Sequence, residues 1–459
     1  MKVQKNSVIE VKIDNLAYGG RGIGRMEGMV VFVPHAVPGD VVSARVIKKK
    51  PNYIEAEKIE ILEPSLHRIE ARCSLFGQCG GCSWQSLPYE KQLEFKEQIA
   101  KSTLHHLGRQ FDFKIHPILP SPEVWRYRNK VDYTFGQDEN GKAVLGFHEP
   151  GSYWKIIDVE KCHIQPEIFD DLIDEMRKFT REYDLEPYHQ KGHTGLMRHF
   201  MLRCAVNTEE EPHPTLAVLA TGEAELPHRD ELVDRLRKRC PSLKGFIHGL
   251  NQSRGDVFKI QKKLFQWGED FIMEKVGHLK LKVSAMSFFQ TNSKAAENLY
   301  EKTLDFLELS GNESLFDAYC GAGAIAINCA RNAGKVYGIE LIKDAVWDAR
   351  YNAKINNADN CTFLLGDMKR TLPLLMKREP LGFSRVTVDP PRGGMDKKSL
   401  RWIARLQAPV IVYVSCNPST MARDIQSLCS KGYEITEVQP VDMFPHTYHI
   451  EMIAHLKKT

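Results

Sequence analysis

No stretch of this sequence approaches the roughly 18 apolar residues of a membrane span, and Met1 to Asn15 intersperse charges without an apolar core of the secretory kind. The chain is therefore expected to be cytoplasmic, with no membrane partner. There is no internal repeat and no low-complexity tract, which excludes solenoid and fibrous architectures. Excess charge is also scarce: a formal net charge of +4 only mildly favours an anionic partner. Thiols, by contrast, are abundant. Eleven cysteines in a reducing compartment cannot be assumed to pair as disulfides, so each cluster first raises metal binding or catalysis. With 459 residues, 42% hydrophobic and 27% charged, the composition is that of an ordinary globular protein of roughly two to four domains.

From Ser7 to Glu60 the chain reads as short strands, with alternation in Val8-Ile9-Glu10-Val11-Lys12-Ile13 and turns at Gly19-Gly20 and Pro38-Gly39-Asp40. This predicts a small β-barrel. Glu63 to Arg72 looks like a linker, Leu87 to Leu107 has helical apolar spacing, and Tyr127 to His148 reads as strands around a turn at Asn140-Gly141. Asn207 to Asp230, with Glu209-Glu210-Glu211, is expected to be a solvated loop. After about Ser284 strands and helices alternate. The strands are Ser314 to Tyr319, Lys335 to Ile339, Cys361 to Leu365, Arg385 to Val388 and Val410 to Val414; the helices include Ala345 to Asn356, Lys398 to Ala404 and Thr420 to Lys431. Such alternation predicts a parallel, doubly wound α/β sheet with its functional crevice at the strands' carboxyl ends. Three parts are expected: a β-barrel over 1–62, a central α/β domain over 63–283 and a Rossmann-like domain over 284–459. The helix Leu87 to Leu107 could pack on either of the last two.

The first strand of that sheet runs into Phe316-Asp317-Ala318-Tyr319-Cys320-Gly321-Ala322-Gly323, just before a helix. Gly321 and Gly323 let backbone approach a ligand, and Glu340, closing the next strand, is placed to accept hydrogen bonds from ribose hydroxyls. This is a nucleoside-cofactor context. Ala326 at the third glycine position separates S-adenosylmethionine from NAD only weakly. Asp367 is a further acid at the same rim, and Asp389-Pro390-Pro391-Arg392 puts a carboxylate and two rigid residues at the sheet's mouth. Ser415-Cys416-Asn417-Pro418 places one thiol there, where a nucleophile is more natural than a packing residue. Glu451, in an otherwise apolar strand, is a carboxylate whose position needs a reason. Finally, Cys73-x5-Cys79-x2-Cys82 with the distant Cys162 supplies four thiolates, which suit either an iron-sulfur cluster or zinc.

On Ser287-Phe288-Phe289-Gln290-Thr291-Asn292, Asp317 to Gly323, Asp389-Pro390-Pro391-Arg392, Ser415-Cys416-Asn417-Pro418 and His449-Ile450-Glu451, the chain resembles the RNA uracil-C5 methyltransferases over nearly its whole length. The resemblance implies a class I fold, S-adenosylmethionine contacted by Gln290, Tyr319, Glu340 and Asp389, Cys416 as nucleophile and Glu451 as base. It also implies a [4Fe-4S] cluster on Cys73, Cys79, Cys82 and Cys162. Ala324 departs from the family pattern, which often has a polar residue there and a cofactor hydrogen bond from it. The barrel, with Arg21, Arg25 and Lys48-Lys49-Lys50, resembles a TRAM domain, an RNA-binding module. Trp125-Arg126-Tyr127-Arg128-Asn129-Lys130 interleaves rings with cations as RNA stacking and phosphate contacts demand, although either basic feature could be a solvated face.

Among family members, such a barrel together with the cysteine set points to 23S rRNA as substrate and 5-methyluridine as product. A tRNA uracil-C5 methyltransferase is the nearest alternative. A cytosine-C5 enzyme is next, though it commonly has a cysteine where this chain has Arg392. A non-catalytic iron-sulfur RNA-binding protein would need neither Cys416 nor Glu451.

Overall fold

The computed structural model describes residues 3–108, 112–152, 154–208, 210, 212–378 and 382–459. Met1 and Lys2 of the expected barrel, and Glu209 and Glu211 of the expected acidic loop, lie outside the described residues. The N-terminal strands are β1 (Val8–Leu16), β2 (Gly22–Met26), β3 (Met29–Val33), β4 (Val41–Lys49) and β5 (Tyr53–Glu63). They close in the order β1-β2-β3-β5-β4, with β4 pairing back onto β1. Period-2 alternation buries Ile9, Val11 and Ile13 of β1 against Val31, Val42, Val46 and Ile54, leaving the intervening polar side chains outside.

Helix α1 (Tyr89–Gly108) leaves the barrel's neighbourhood and packs Phe95, Ile99 and Leu104 into the core of the C-terminal sheet, beside the last helix of the chain. The two-residue strand β6 (Lys114–Ile115) then joins that sheet's edge. A separate seven-stranded sheet follows. Its elements are β7 (Lys130–Gln137), β8 (Ala143–His148), β9 (Ile156–Asp158), α2 (Glu167–Glu182), β10 (Met197–Cys204), β11 (Thr215–Thr221), α3 (Arg229–Arg239), β12 (Leu243–Leu250) and β13 (Lys262–Gly268), in the order β13-β12-β11-β10-β7-β8-β9. Helices α2 and α3 cover one face through Phe169, Met176 and Leu232, whereas Met201, Val218 and Ile247 join the core of the C-terminal unit. Strand β10 is accordingly buried along its whole length.

The hairpin β14 (Phe271–Val276) and β15 (Leu279–Ser284) also packs on that C-terminal core, although it lies before the boundary expected at 284. There follow α4 (Ser293–Phe306), β16 (Ser314–Ala318), α5 (Ala324–Cys329), β17 (Lys335–Glu340), α6 (Lys343–Ile355), β18 (Cys361–Leu365), α7 (Met368–Arg378), β19 (Arg385–Val388), α8 (Lys397–Arg405), β20 (Val410–Ser415), α9 (Pro418–Cys429), β21 (Tyr433–Val441) and β22 (Glu451–Lys458). The sheet order is β18-β17-β16-β19-β20-β22-β21-β6, parallel from β18 to β20, with β22 antiparallel to both its neighbours. Strand order reverses at β16, whose neighbours β17 and β19 lie on opposite sides. A crevice at the carboxyl ends of β16 and β19 is the expected consequence.

Candidate active site

That crevice is a cleft of about 1320 Å³. It is lined by Gln290, Tyr319, Gly321, Glu340, Asp367, Asp389, Cys416 and Glu451, and at its other end by Cys73, Cys79, Cys82 and Cys162. Beyond β16 the chain turns sharply: Tyr319 has φ +65°, Gly321 +53° and Gly323 +83°, a region that costs a non-glycine residue free energy. The Gly321 amide donates to Glu340 Oε2 at 3.1 Å, and Oε1 accepts from the Ile342 amide at 2.8 Å. This fixes the carboxylate of Glu340 beside the glycine loop. Of the residues expected at the site, Gly323 alone does not line the cleft. A side chain there would come within 2.9 Å of the Phe363 ring and 3.1 Å of Ala349, so this glycine serves close packing of the loop on β18 and α6 rather than ligand approach.

Three carboxyls gather around the cleft, Asp317 and Glu451 buried and Asp389 partly so. Burial lifts Asp389 to about 6. Asp317 rises to about 7 through burial, against the hydrogen bond that its Oδ1 accepts from Thr387 at 2.7 Å; Oδ2 has no partner. Glu451 is pushed well above the usual carboxylate range, by burial first and then by Asp389, with Arg392 opposing. Tyr300 of α4 lines the same space, its hydroxyl held far from ionisation by burial and by Asp389, Asp317 and Glu451. Neither Tyr300 nor Asp317 was singled out from the sequence. Asp317 carries the signal that marked Glu451, a carboxylate within an apolar strand, whereas Tyr300 has no such mark.

Cys416 follows β20 directly. Burial, then Glu451 and Asp389, raise its thiol to about 11, while Arg392 pulls it down. Asn417 caps α9 through Ser419 and Thr420, and its own amide donates to Ser415 Oγ at 3.1 Å, so the thiol sits in a stiff turn. Arg392 Nη2 lies 3.0 Å from His449 Nδ1, and His449 is lowered to about 4 by burial and by that cation, which leaves its ring neutral and able to accept. The loop leading to Glu451 is clamped from three directions. Asp442 pairs with Lys96 of α1, the Ser83 and Trp84 amides donate to the His446 carbonyl at 2.9 and 3.0 Å, and the Tyr127 hydroxyl donates to the Pro445 carbonyl at 3.0 Å.

The Trp125 to Lys130 run corrects the RNA-facing expectation. The Trp125 ring stacks on His446 at 3.7 Å, and Arg126 pairs with Glu167 and Asp170. Tyr127 and Asn129 are buried, and of this run only Arg128 lines the cleft. On the barrel, Arg21 and Lys48 both lie within ion-pair range of Glu55 while Arg25 and Lys50 stand exposed. Among the four clustered cysteines, burial lifts Cys82 to about 12 and Cys162 to about 11 and also raises Cys79; the other thiols of the group add repulsion to each. Among the described residues no three His, Cys, Asp or Glu side chains converge on a point suited to one metal ion.

A doubly wound sheet with a glycine loop, an acid fixed beside that loop and a thiol at the rim is the arrangement of a class I methyltransferase fold. The tRNA (Uracil-5-)-methyltransferase family matches residues 257–459, and the TRAM domain matches residues 2–59. An RNA methyltransferase of Halalkalibacterium halodurans is 38% identical over 455 residues, covering 99% of this chain and 98% of that protein. One from Caldanaerobacter subterraneus subsp. tengcongensis is 37% identical, covering 99% of this chain and 100% of its own length. The crystal structure of Pyrococcus abyssi tRNA (uracil-54, C5)-methyltransferase with S-adenosyl-L-homocysteine superposes with a TM-score of 0.77 at 29% identity, covering 98% of this chain and 100% of that one. The chain belongs to the S-adenosylmethionine-dependent RNA uracil-C5 methyltransferase family.

Proposed function

We propose that this chain methylates carbon 5 of a specific uridine, or uridines, in 23S rRNA, with Cys416 as nucleophile and Glu451 as base. The observation that carries the reading is a single cleft presenting a thiol, a buried carboxyl and a glycine loop together. Carbon 5 of uracil is too weakly nucleophilic to be methylated unaided. Bonding of the Cys416 thiolate to carbon 6 shifts the ring's double-bond electrons into an enolate, and carbon 5 becomes nucleophilic. S-adenosylmethionine, held by Gln290, Tyr319, Gly321, Glu340, Asp367 and Asp389, supplies the methyl group. Glu451 then accepts the carbon 5 proton. The electrons of that C–H bond restore the ring double bond as the bond from carbon 6 to sulfur breaks, and its pair returns to Cys416. With its thiol at about 11, Cys416 needs a cation to ionise, and Arg392 is placed to serve.

Carbon 6 is reachable only in a base drawn out of its stack, which fits an enzyme with an RNA-gripping barrel beside its cleft. The four clustered cysteines fit a [4Fe-4S] cluster. Burial and mutual repulsion keep such thiols neutral unless cations compensate them, and a cubane takes each sulfur to a different iron, so the sulfurs need not converge on one point. No step of methyl transfer needs an electron, so its role is structural or RNA-positioning, close to where cytoplasmic RNA enters. A tRNA substrate is the second reading, favoured by the full-length likeness to the Pyrococcus abyssi enzyme.

Labelled methyl transfer to unmodified 23S rRNA and to tRNA transcripts separates the substrates. RNA binding without methyl transfer to either would leave a non-catalytic RNA-binding protein. On a denaturing gel, Glu451→Gln should accumulate a methyl-labelled protein–RNA band that the Cys416→Ala, Glu451→Gln double variant lacks. An adduct surviving in the double variant removes Cys416 from its role, and normal turnover by Glu451→Gln removes Glu451.

A further inference from the structure

We infer that the N-terminal barrel buttresses the active site as well as gripping RNA: its β1–β2 turn presents Tyr18 as a positioning residue for Cys416. The inference rests on Cys416 being the nucleophile. The Tyr18 hydroxyl donates to the Cys416 carbonyl at 3.2 Å, across 398 residues of sequence. The Tyr18 ring meets Tyr448, which precedes His449, edge to face at 5.6 Å. The Arg392 cation lies near enough to act on the same hydroxyl, opposing the upward push of burial on its ionisation. One side chain of the barrel thus holds the nucleophile's backbone and stands within the field of the cation that favours its thiolate.

The turn is seated rigidly enough for this. It is closed by Ala17 N–H to the Arg21 carbonyl at 2.8 Å and Gly20 N–H to the Ala17 carbonyl at 3.0 Å. Trp84 Nε1, beside the clustered cysteines, donates to the Gly20 carbonyl at 3.2 Å. Gly20 has φ +82°, and a side chain there would come within 2.9 Å of Ser83 and 3.1 Å of Tyr448, so glycine is what lets the turn dock. Below it, Leu16 and Val37 of the barrel share one core with Trp84, Leu87 and the C-terminal sheet. A barrel tethered only to catch RNA would need none of these contacts.

Tyr18→Phe keeps the ring and removes the hydroxyl. Its single-turnover methyl transfer at saturating RNA should fall about tenfold, the worth of one hydrogen bond, while RNA affinity stays within about twofold of wild type. With 5-fluorouridine RNA, whose fluorine cannot leave as a proton does, the rate of covalent-complex formation should shift to higher pH, because a Cys416 held less firmly is stabilised less as thiolate by Arg392. Gly20→Ala, which unseats the turn, should show the same loss of rate. A Tyr18→Phe variant with wild-type rate and pH profile overturns the inference, as does one that loses RNA affinity alone. Cys416→Ala is assayed alongside: if it still methylates, the nucleophile reading has failed, and if it is inactive while Tyr18→Phe is normal, only the barrel's catalytic role has failed.

Discussion

Lys96 and Asp442 meet at 2.7 Å with both side chains wholly buried, tying α1 to the loop that carries the chain into Glu451. Lys96 also donates to the Phe444 carbonyl at 3.0 Å, and Asp442 Oδ1 accepts from the Phe444 amide at 3.0 Å. Replacing lysine by methionine keeps most of the volume but leaves a buried carboxylate without its cation, a change that costs about 3–5 kcal/mol when one partner of such a pair is removed. For a unit of this size each kcal/mol is worth about 2–4 °C, so Lys96→Met should lower the melting temperature by about 10 °C. Removing both charges, as in Lys96→Met with Asp442→Leu, should recover part of that loss, because an apolar pair of similar volume carries no stranded charge. Near-UV circular dichroism melts of the three proteins measure this directly. The reasoning is refuted if Lys96→Met costs less than about 1 kcal/mol, or if the double variant is less stable than the single one.

Two further outcomes follow from the thiols. In the free protein, alkylation of Cys416 followed by mass spectrometry should keep rising from pH 7 through pH 9, because a folded pKa of about 11 leaves the thiol protonated and each unit of pH raises the thiolate fraction about tenfold. A plateau near pH 7 would show that Arg392 outweighs burial. Anaerobically purified protein should be brown and contain iron and sulfide, and Cys79→Ser should lose both; stoichiometric zinc without iron would sink the cluster.

Much of the fold is legible in the sequence because it is written in local periods. Alternation in Val8 to Ile13 marks the barrel, and the strand–helix rhythm after Ser284 marks the doubly wound sheet, with strand ends falling within a residue or two of expectation. The rim positions of Cys416 and Asp389 follow from those strand ends. What local pattern cannot show is which way a mixed run faces. Trp125 to Lys130 has the composition of an RNA contact, yet Trp125, Arg126 and Tyr127 are taken up by His446, Glu167, Asp170 and the Pro445 carbonyl, partners between 41 and more than 300 residues away. Gly323 likewise reads as a ligand-facing glycine, and only the nearness of Phe363 and Ala349 reveals a packing one. Tyr18 lies in an ordinary hairpin turn, and its place beside Cys416 depends on the docking of a whole barrel.

The glycine loop by itself leaves S-adenosylmethionine and a dinucleotide nearly equal, and the structure supplies the physical reason for the family's cofactor. Asp317 at about 7, Asp389 at about 6 and a strongly raised Glu451 crowd the same cleft, each disfavoured as an anion by burial, and Asp389 adds repulsion to the other two. A diphosphate brought into this space would add negative charge where three carboxyls already resist ionising. A cation does the reverse: it favours the charged form of each neighbour, so its binding and their deprotonation reinforce one another. Among nucleoside cofactors a sulfonium carries that positive charge. These acids therefore favour a cationic cofactor over an anionic one, and in the proposed mechanism one of them, Glu451, is the group that must be ionised to take a proton from carbon 5.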